Sequence, residues 1–335
     1  MNYIGSKLKL CQDFIPKTIK SVCGKDLSNK VFCDLFAGTG IVGRTFKTMV
    51  KKVIANDIEY YSYVINKNYI ENHIEIIDKE EYIKKLNNAK LIKDGFIYKN
   101  YCLGGNGERQ FFSDYNGMKI DTIRSKIEKW FNEKKIVSNI YYYLLCSLLE
   151  CADKVANTAS VYGAYLKKLK TSASKELVLV GANYQLNDNE HEVYNEDANK
   201  LINQIEGDIL YLDPPYNERQ YGANYHLLNT IAEYKQFIPR GKTGLPEYKR
   251  SMYCSKNTVL NEFEELIKKA KFKYIFLSYN NEGLMHCNTI KNIMTKYGYY
   301  DLAKTDYQRF KADSNRTNKY DSTVEYLHIL EKNKF

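Results

Sequence analysis

The sequence lacks the clustered cysteine and histidine residues that would close a metal site. Its eight cysteines are scattered, no two of them stand in a CxxC spacing, and only five histidines are present. Structural zinc sites need several such ligands at short spacings. The pattern therefore excludes a zinc module and predicts no metal. It also predicts free thiols and a reducing, cytoplasmic location.

Long apolar segments are also missing. No uninterrupted apolar run of about 18 residues occurs, and the chain does not begin with a charged segment followed by an apolar one. These absences predict no membrane partner. Hydrophobic residues make up 44% of the chain and charged residues 27%, a balance that is ordinary for a folded protein and excludes general disorder.

The chain carries a basic excess, with 50 lysines and arginines against 40 acidic residues and a net charge of +10. Lysine and arginine side chains that neutralise phosphates release counterions, so such an excess is compatible with a polyanionic partner. Charge alone does not separate nucleic-acid binding from ordinary basic composition. Positional information is needed.

Four short apolar runs end at or lead directly into a segment with glycine, aspartate or asparagine, and longer helical patterns separate them. They are residues 31–36, 53–57, 209–212 and 274–279. Buried parallel strands read as continuous apolar runs, and intervening helices favour an α/β sheet. Ligands of such sheets bind at the carboxyl ends of the strands, where all four runs carry their unusual polar residues.

A different pattern covers residues 75–194. Residues 118–150 are typical of helices, with an amphipathic beginning and a very apolar stretch at 141–149. We therefore predict a mostly helical domain over 75–194, inserted into an α/β domain formed by 1–74 and 195–335. The tail 322–331 alternates enough to predict an edge strand.

Two features predict a nucleoside site. The segment Asp34-Leu-Phe-Ala-Gly-Thr-Gly40 follows a predicted strand, and its glycines permit a tight turn and close approach to a ligand. A glycine turn alone is often only a turn. Asp57 ends the following strand, where a carboxylate can accept hydrogen bonds from ribose hydroxyls. Because the loop is not GxGxxG, a nucleoside fits better than NAD.

The sharpest signal is Asp213-Pro214-Pro215-Tyr216, directly after the strand-like run 209–212. The two prolines remove two backbone donors and fix both φ angles. A carboxylate and carbonyl oxygens thus form a rigid set of acceptors beside an aromatic ring. This arrangement suits a planar amine, since Asp213 and the Pro214 carbonyl each accept one N–H while Tyr216 stacks on the ring. A turn made rigid by Pro-Pro is the alternative.

In their order, these segments resemble the Dam-like, alpha-group adenine-specific DNA methyltransferases, which include the modification enzymes of type II restriction systems. The matching segments are Asn2-Tyr-Ile-Gly-Ser-Lys7, DLFAGTG, Asn56-Asp57, Asp197, DPPY with Asn217–Tyr221, and Leu277–Asn280. The resemblance implies a class I, Rossmann-like methyltransferase fold with a mostly parallel sheet and S-adenosylmethionine as cofactor. It also implies that the helical insertion recognises the DNA target.

The resemblance also implies roles for individual residues. Tyr3 and Lys7 line the cofactor pocket, with Lys7 near the methionine carboxylate. Asp57 takes the ribose, and Asp197 meets the cofactor's adenine amino group, although an exposed loop aspartate is an equal alternative at that position. The methionine part is held by Asp34 and by the backbone around Phe36, Gly38 and Gly40.

The implied partner is double-stranded DNA, with a restriction endonuclease as a possible system partner. The target adenine must leave the stack to reach Asp213. The charged loop 239–257 and the segment after DPPY supply candidates for phosphate contacts, although each alone is as readily a solvated surface residue: Arg219, Tyr221, Arg240, Lys242, Lys249 and Arg250.

Three other functions remain open at this point. Two are enzymes, an RNA adenine methyltransferase and a DNA cytosine-amino methyltransferase. The aspartate of DPPY favours adenine, and the long insertion favours a DNA-reading enzyme. The third is a non-catalytic nucleic-acid-binding protein that retains the fold. Intact acidic residues in both the cofactor and the substrate motifs argue against it.

Overall fold

The computed structural model describes residues 7–308 and 322–333. Tyr3, one of the residues predicted to bind the cofactor, lies outside the described residues. Within them the chain forms seven strands, whose bounds are β1 Val31–Asp34, β2 Lys52–Asn56, β3 Glu192–Tyr194, β4 Glu206–Leu212, β5 Lys271–Asn280, β6 Gly298–Gln308 and β7 Ser322–Lys332.

The seven strands form one sheet in the order β3-β2-β1-β4-β5-β7-β6. Strands β3, β2, β1, β4 and β5 are parallel to one another. Strand β7 runs antiparallel to β5 and β6. The predicted α/β class and the mostly parallel sheet are therefore confirmed. The prediction of an edge strand in the tail is wrong, because β7 lies between β5 and β6 and β6 occupies that edge.

The described residues also form twelve α-helices. Their bounds are α1 Phe14–Cys23, α2 Ile41–Phe46, α3 Tyr60–Asn66, α4 Lys79–Asn87, α5 Phe96–Tyr101, α6 Asp114–Asn132, α7 Ser138–Val155, α8 Ala198–Leu201, α9 Tyr221–Asn224, α10 His226–Glu233, α11 Val259–Lys269 and α12 Cys287–Met294.

One compact unit contains the sheet, and we call it the sheet unit. It consists of the described residues of Gly5–Ile58, Asn187–Gln220 and Arg250–Phe335. Helix α11 illustrates its packing, because its buried residues Val259, Phe263, Leu266 and Ile267 recur at the spacing of one helical face. They join a core that includes the sheet residues Leu210 and Ile275.

The second compact unit, the helical unit, consists of Glu59–Leu186 and Tyr221–Lys249 in its described part. Helix α7 is apolar on most sides and supplies much of the core, including Leu144, Leu145, Leu148 and Leu149. The buried Arg124 of α6 donates to the carbonyl oxygen atoms of Ile231 and Ala232 near the end of α10. These bonds satisfy carbonyl groups that a helix end leaves without an intrahelical partner.

These boundaries differ from the predicted 75–194 insertion in three places. The helical unit begins at Glu59 rather than at residue 75, it also takes in Tyr221–Lys249, and Asn187–Tyr194 belongs to the sheet unit. Residues 221–249 belong to it because Leu227, Leu228 and Ile231 of α10 are buried in the helical core. Strand β3 carries Asn187–Tyr194 into the sheet through its pairing with β2.

All eight cysteines are free thiols. Among the described residues, no helix is both long and apolar enough to cross a membrane.

Candidate active site

The polar residues predicted to form the site meet at one edge of the sheet. Asp34, the last residue of β1, is paired with Ala55 of β2 and with Tyr211 of β4. Because these three strands are parallel, Asp57 and Asp213 each follow two residues beyond a partner of Asp34 and emerge at the same edge. The chain order also reverses between β1 and β4, and ligands of α/β sheets bind at such a switch point.

The glycine turn after β1 is held by Asp34. Gly38 and Gly40 have positive φ angles of 53° and 73°, which residues with a side chain rarely adopt. The Asp34 side chain is 1% exposed and accepts a hydrogen bond from the backbone N–H of Gly43 in α2 at 2.9 Å. Burial raises the pKa of Asp34 to about 7; the Gly43 bond opposes the rise, and nearby Asp213 adds to it.

Asp57 is bound to the same turn. Its Oδ2 atom accepts a hydrogen bond from the Gly38 N–H at 2.8 Å, and its own carbonyl accepts one from the Asn195 side chain at 2.7 Å. The preceding residue, Asn56, is 2% exposed and donates to the carbonyls of Leu35 and Glu196. The turn after β1, the end of β2 and the segment after β3 are thus tied together.

Asp197 caps a helix. Its Oδ1 atom accepts hydrogen bonds from the backbone N–H groups of Asn199 and Lys200, at 3.0 and 3.1 Å, at the beginning of α8. Both of these hydrogen bonds are made to Oδ1 and neither to Oδ2, and Asp197 is half-buried. The cap explains why an aspartate suits this position, and it leaves the role at the cofactor's adenine as a prediction.

The DPPY turn follows β4 directly and is anchored on both sides. The Asp213 side chain is 20% exposed, and its Oδ1 atom lies 3.2 Å from the Nζ atom of Lys7. Beyond the two prolines, the Tyr216 carbonyl accepts a hydrogen bond from the Leu284 N–H at 3.0 Å. The Tyr216 ring packs against the Tyr279 ring, with centroids 4.7 Å apart.

The electrostatics around Asp213 involve three charged groups. Burial raises the pKa of Asp213 to about 6, Lys7 opposes the rise, and Glu325 adds to it. Burial alone would lower the pKa of Lys7, yet Asp213 and Glu325 together raise it above its usual value. Lys7 is therefore a buried cation shared between two carboxylates.

Glu325 is a site residue that the sequence interpretation missed. It is 3% exposed, and its Oε1 atom lies within 2.9 Å of Lys7 Nζ, the Tyr216 hydroxyl and Ser278 Oγ. Ser278 lies in the segment Leu277–Asn280 that matches the family, but the resemblance implies no role for it. The sequence marks Glu325 only as an acidic residue within the alternating segment 322–331. Alternation does not show where that strand lies in the sheet.

Part of the charged loop 239–257 is buried rather than solvated. Tyr253 is 5% exposed, its ring meets the Phe36 ring edge to face at 5.0 Å, and its hydroxyl donates to Asn199 Oδ1 at 2.8 Å. Phe36 is itself a predicted cofactor residue. The loop thus supplies an aromatic wall beside the glycine turn.

The predicted nucleic-acid residues are distributed over both units. Arg219 and Arg250 belong to the sheet unit, and both are exposed. In the helical unit, Arg240 forms an ion pair with Glu247 at 2.9 Å, and the Tyr221 ring stacks on Tyr225 at 6.1 Å. The remaining two, Lys242 and Lys249, are exposed residues of the helical unit.

The described residues contain no group of three or more His, Cys, Asp or Glu side chains that could hold a metal ion.

Comparison with known proteins gives a consistent result. The chain is 60% identical over 334 residues to Type II methyltransferase M.NlaIII of Neisseria lactamica, covering 99% of both chains. It is 39% identical over 339 residues to Type II methyltransferase M.CviAII of Paramecium bursaria Chlorella virus 1, covering 98% of both. Type II methyltransferase M.FokI of Planomicrobium okeanokoites is 39% identical over 350 residues, covering 99% of this chain and 53% of that one.

A family model for D12 class N6 adenine-specific DNA methyltransferases matches residues 3–321, which is nearly the whole chain. This family implies the use of S-adenosylmethionine and a DNA substrate. The predicted family, enzyme class and fold are thereby confirmed. The chain belongs to the D12 class of N6 adenine-specific DNA methyltransferases.

Proposed function

We propose that the DPPY turn is the catalytic centre of this adenine methyltransferase and that the glycine turn with Asp57 forms its cofactor site. One observation carries the proposal. The glycine turn, Asp57 and Asp213 all follow neighbouring parallel strands at a single edge of the sheet, next to the switch point between β1 and β4. A methyl donor and a methyl acceptor must meet at one place, and this edge offers both sites.

The residues around the glycine turn fit S-adenosylmethionine. Asp57 is oriented by Gly38 and is proposed to accept hydrogen bonds from the ribose hydroxyls. The backbone at Phe36, Gly38 and Gly40 offers close approach to the methionine part, and Asp34 supports that backbone through Gly43. The cofactor supplies an electrophilic methyl group on a sulfonium.

Two further predicted cofactor residues, Asp197 and Lys7, receive more specific roles. Asp197 is proposed to meet the cofactor's adenine amino group while it also caps α8. Lys7 was predicted near the methionine carboxylate. Because its Nζ atom already lies 3.2 Å from Asp213 and 2.9 Å from Glu325, we propose instead that it serves the catalytic carboxylate.

The DPPY residues act on the amino group of the target adenine. Asp213 and the Pro214 carbonyl each accept one N–H, which draws the nitrogen toward tetrahedral geometry and frees its lone pair for attack on the methyl group. Pro215 keeps the turn rigid, and Tyr216 stacks on the base. Positive charge develops on the nitrogen during attack, so the ionised Asp213 stabilises the transition state more than the ground state. The nitrogen–methyl bond forms as the methyl–sulfur bond breaks, and the thioether leaves. The methylated ammonium then sheds its proton readily, so no strong base is needed.

Duplex DNA is the proposed substrate form, with the adenine flipped out of the stack. The helical unit is proposed to recognise the target sequence. Phosphate contacts are assigned to the exposed cations Arg219, Arg240, Lys242, Lys249 and Arg250, and Tyr221 is proposed to contact the opened site. Because the named relatives are Type II methyltransferases, we also propose a restriction endonuclease as system partner. The cytoplasmic location stays a prediction.

The test is methyl transfer from labelled S-adenosylmethionine to unmethylated duplex DNA and, in parallel, to an RNA pool. Wild type and Asp213→Ala are compared, with Asp301→Ala as a matched control because Asp301 is an exposed residue of β6. Product nucleosides are identified by mass. N6-methyladenine from DNA that disappears only in Asp213→Ala supports the proposal. Product confined to RNA or to cytosine would overturn the substrate, and an active Asp213→Ala would overturn the assigned centre.

A further inference from the structure

Glu325 has an arrangement that a packing role does not explain. Three donors from distant parts of the chain converge on its single Oε1 atom: Lys7 Nζ at 2.9 Å, the Tyr216 hydroxyl at 2.7 Å and Ser278 Oγ at 2.7 Å. A buried carboxylate is costly unless it is paired and hydrogen-bonded. Apolar residues in its place often stabilise a protein core at least equally. The convergence therefore points to a role at the site.

The direction of β7 brings Glu325 to the site. Glu325 pairs with Asn280 at the end of β5, and Ser278 lies two residues before Asn280 on the same face of that strand. Strand β7 is antiparallel to β5, so its beginning lies at the edge where β4 and β5 end. Glu325 consequently reaches the turn that contains Asp213 and Tyr216.

Lys7 connects Glu325 to the catalytic aspartate. Its Nζ atom lies 2.9 Å from Glu325 and 3.2 Å from Asp213, so the two carboxylates share one cation. If Lys7 had only Asp213 as a partner, the ammonium would offset the negative charge with which Asp213 stabilises positive charge on the amine. By sharing the ammonium, Glu325 leaves more of that negative charge available to the amine.

Tyr216 is held by the same carboxylate. Its hydroxyl donates to Glu325, and Lys7 Nζ lies 4.6 Å from the centre of its ring. We propose that Glu325 is a positioning residue for methyl transfer, one that shares Lys7 with Asp213 and fixes the Tyr216 ring against which the flipped adenine stacks. This inference rests on the proposed role of the DPPY turn.

The decisive variant is Glu325→Gln, which keeps the size and acceptor oxygen of the side chain and removes its charge. The matched control is Glu331→Gln, because Glu331 lies on the same strand, is 47% exposed and pairs with Lys273 outside the site. Both variants are assayed with saturating S-adenosylmethionine and duplex DNA. Cofactor affinity is measured separately.

In Glu325→Gln, we expect kcat to fall about tenfold, the scale of one weakened charged hydrogen bond, with cofactor affinity within about twofold of wild type. The acid limb of the pH profile of kcat/KM for DNA should move to lower pH, since Asp213 loses a neighbouring negative charge and gains the undivided attraction of Lys7. A purely structural role would not move this limb. Glu331→Gln should behave as wild type.

Tyr216→Phe provides a second check, because it keeps the ring and removes the hydroxyl, which donates to Glu325 and accepts from Lys7 Nζ. We expect it to lower kcat, and the double variant with Glu325→Gln to lose less than the product of the two single effects. If Glu325→Gln does not fold, Tyr216→Phe decides, and an unchanged kcat would overturn the proposal.

Asp213→Ala separates this inference from the proposed function. An unchanged kcat and an unmoved acid limb in Glu325→Gln, beside an inactive Asp213→Ala, would overturn only the role of Glu325. An active Asp213→Ala would overturn the assigned catalytic centre and this inference with it.

Discussion

The ionisation of Asp213 predicts how methyl transfer depends on pH. Burial raises the pKa of Asp213 to about 6, with Lys7 opposing the rise and Glu325 adding to it. Only the ionised carboxylate accepts on both oxygens and stabilises positive charge on the amine. We therefore expect kcat/KM for DNA to level off above about pH 7 and to fall about tenfold for each pH unit well below about 6.

Lys7→Gln is the perturbation that tests this assignment. Lys7 Nζ lies 3.2 Å from Asp213 Oδ1, and two unit charges at that distance interact by several kcal/mol at an effective dielectric constant of about 20. Solvent reaches 20% of the Asp213 side chain and screens part of this attraction. Since one pKa unit corresponds to about 1.4 kcal/mol, we expect the acid limb to move upward by at least about one pH unit.

The assay is kcat/KM for DNA in labelled methyl transfer at saturating cofactor, from about pH 5 to about pH 9. Lys30→Gln is the matched control, because Lys30 also pairs with an aspartate, Asp208 at 3.1 Å, but directly precedes β1, at the opposite end of the strand from Asp34. Its acid limb should coincide with that of wild type. A limb in Lys7→Gln that stays in place or moves to lower pH would refute the reasoning. If the limb then disappears in Asp34→Asn, it belongs to Asp34, whose pKa is about 7.

Two further predictions concern Asp34 and Asp197. Because burial raises the pKa of Asp34 from 3.8 to about 7, this residue favours the folded state below about pH 3.8 and loses that contribution as the pH rises through about 7. Urea unfolding at several pH values should therefore show Asp34→Asn gaining up to about 4 kcal/mol over wild type between about pH 4 and pH 8, and equal pH slopes would contradict this. For Asp197, Ala removes the α8 cap and should lower stability by about 1 kcal/mol, whereas Asn retains it. Both variants should bind the cofactor more weakly than wild type in calorimetry. If Asp197→Asn binds it with wild-type affinity, Asp197 serves only as the helix cap of α8.

The parts of the site that could be predicted from the sequence are those in which reactive or ligand-binding residue types directly follow a recognisable strand. The DPPY turn and the glycine turn each follow an apolar strand directly, so their residue types and their place at the carboxyl edge can be read together. Asp57 directly follows the next strand, and the pairing of β2 with β1 brings it to that edge. Its role at the ribose stays a prediction.

The parts that were missed depend on contacts between distant segments. Strand β3 has only three residues, too few for a period-2 pattern to be recognised, so Glu192–Tyr194 was assigned to the insertion. Helix α10 follows DPPY closely in the chain, and its amphipathic pattern does not reveal which core it joins. Glu325 is separated from Tyr216 by 109 positions, and nothing local marks it as a site residue.

The reversed direction of β7 explains why the site draws on the last strand of the sheet. In a parallel arrangement the end of β7 would lie at the edge that carries Asp213, and Glu325 would lie at the opposite edge. Because β7 is antiparallel to β5, its first residues lie there instead and add a carboxylate beside Asp213. Two buried carboxylates at one place require a cation, and Lys7, which precedes α1, supplies it. It follows that Lys7 and Glu325 act on Asp213 in opposite directions. Loss of Lys7 should raise the pKa of Asp213, and loss of Glu325 should lower it.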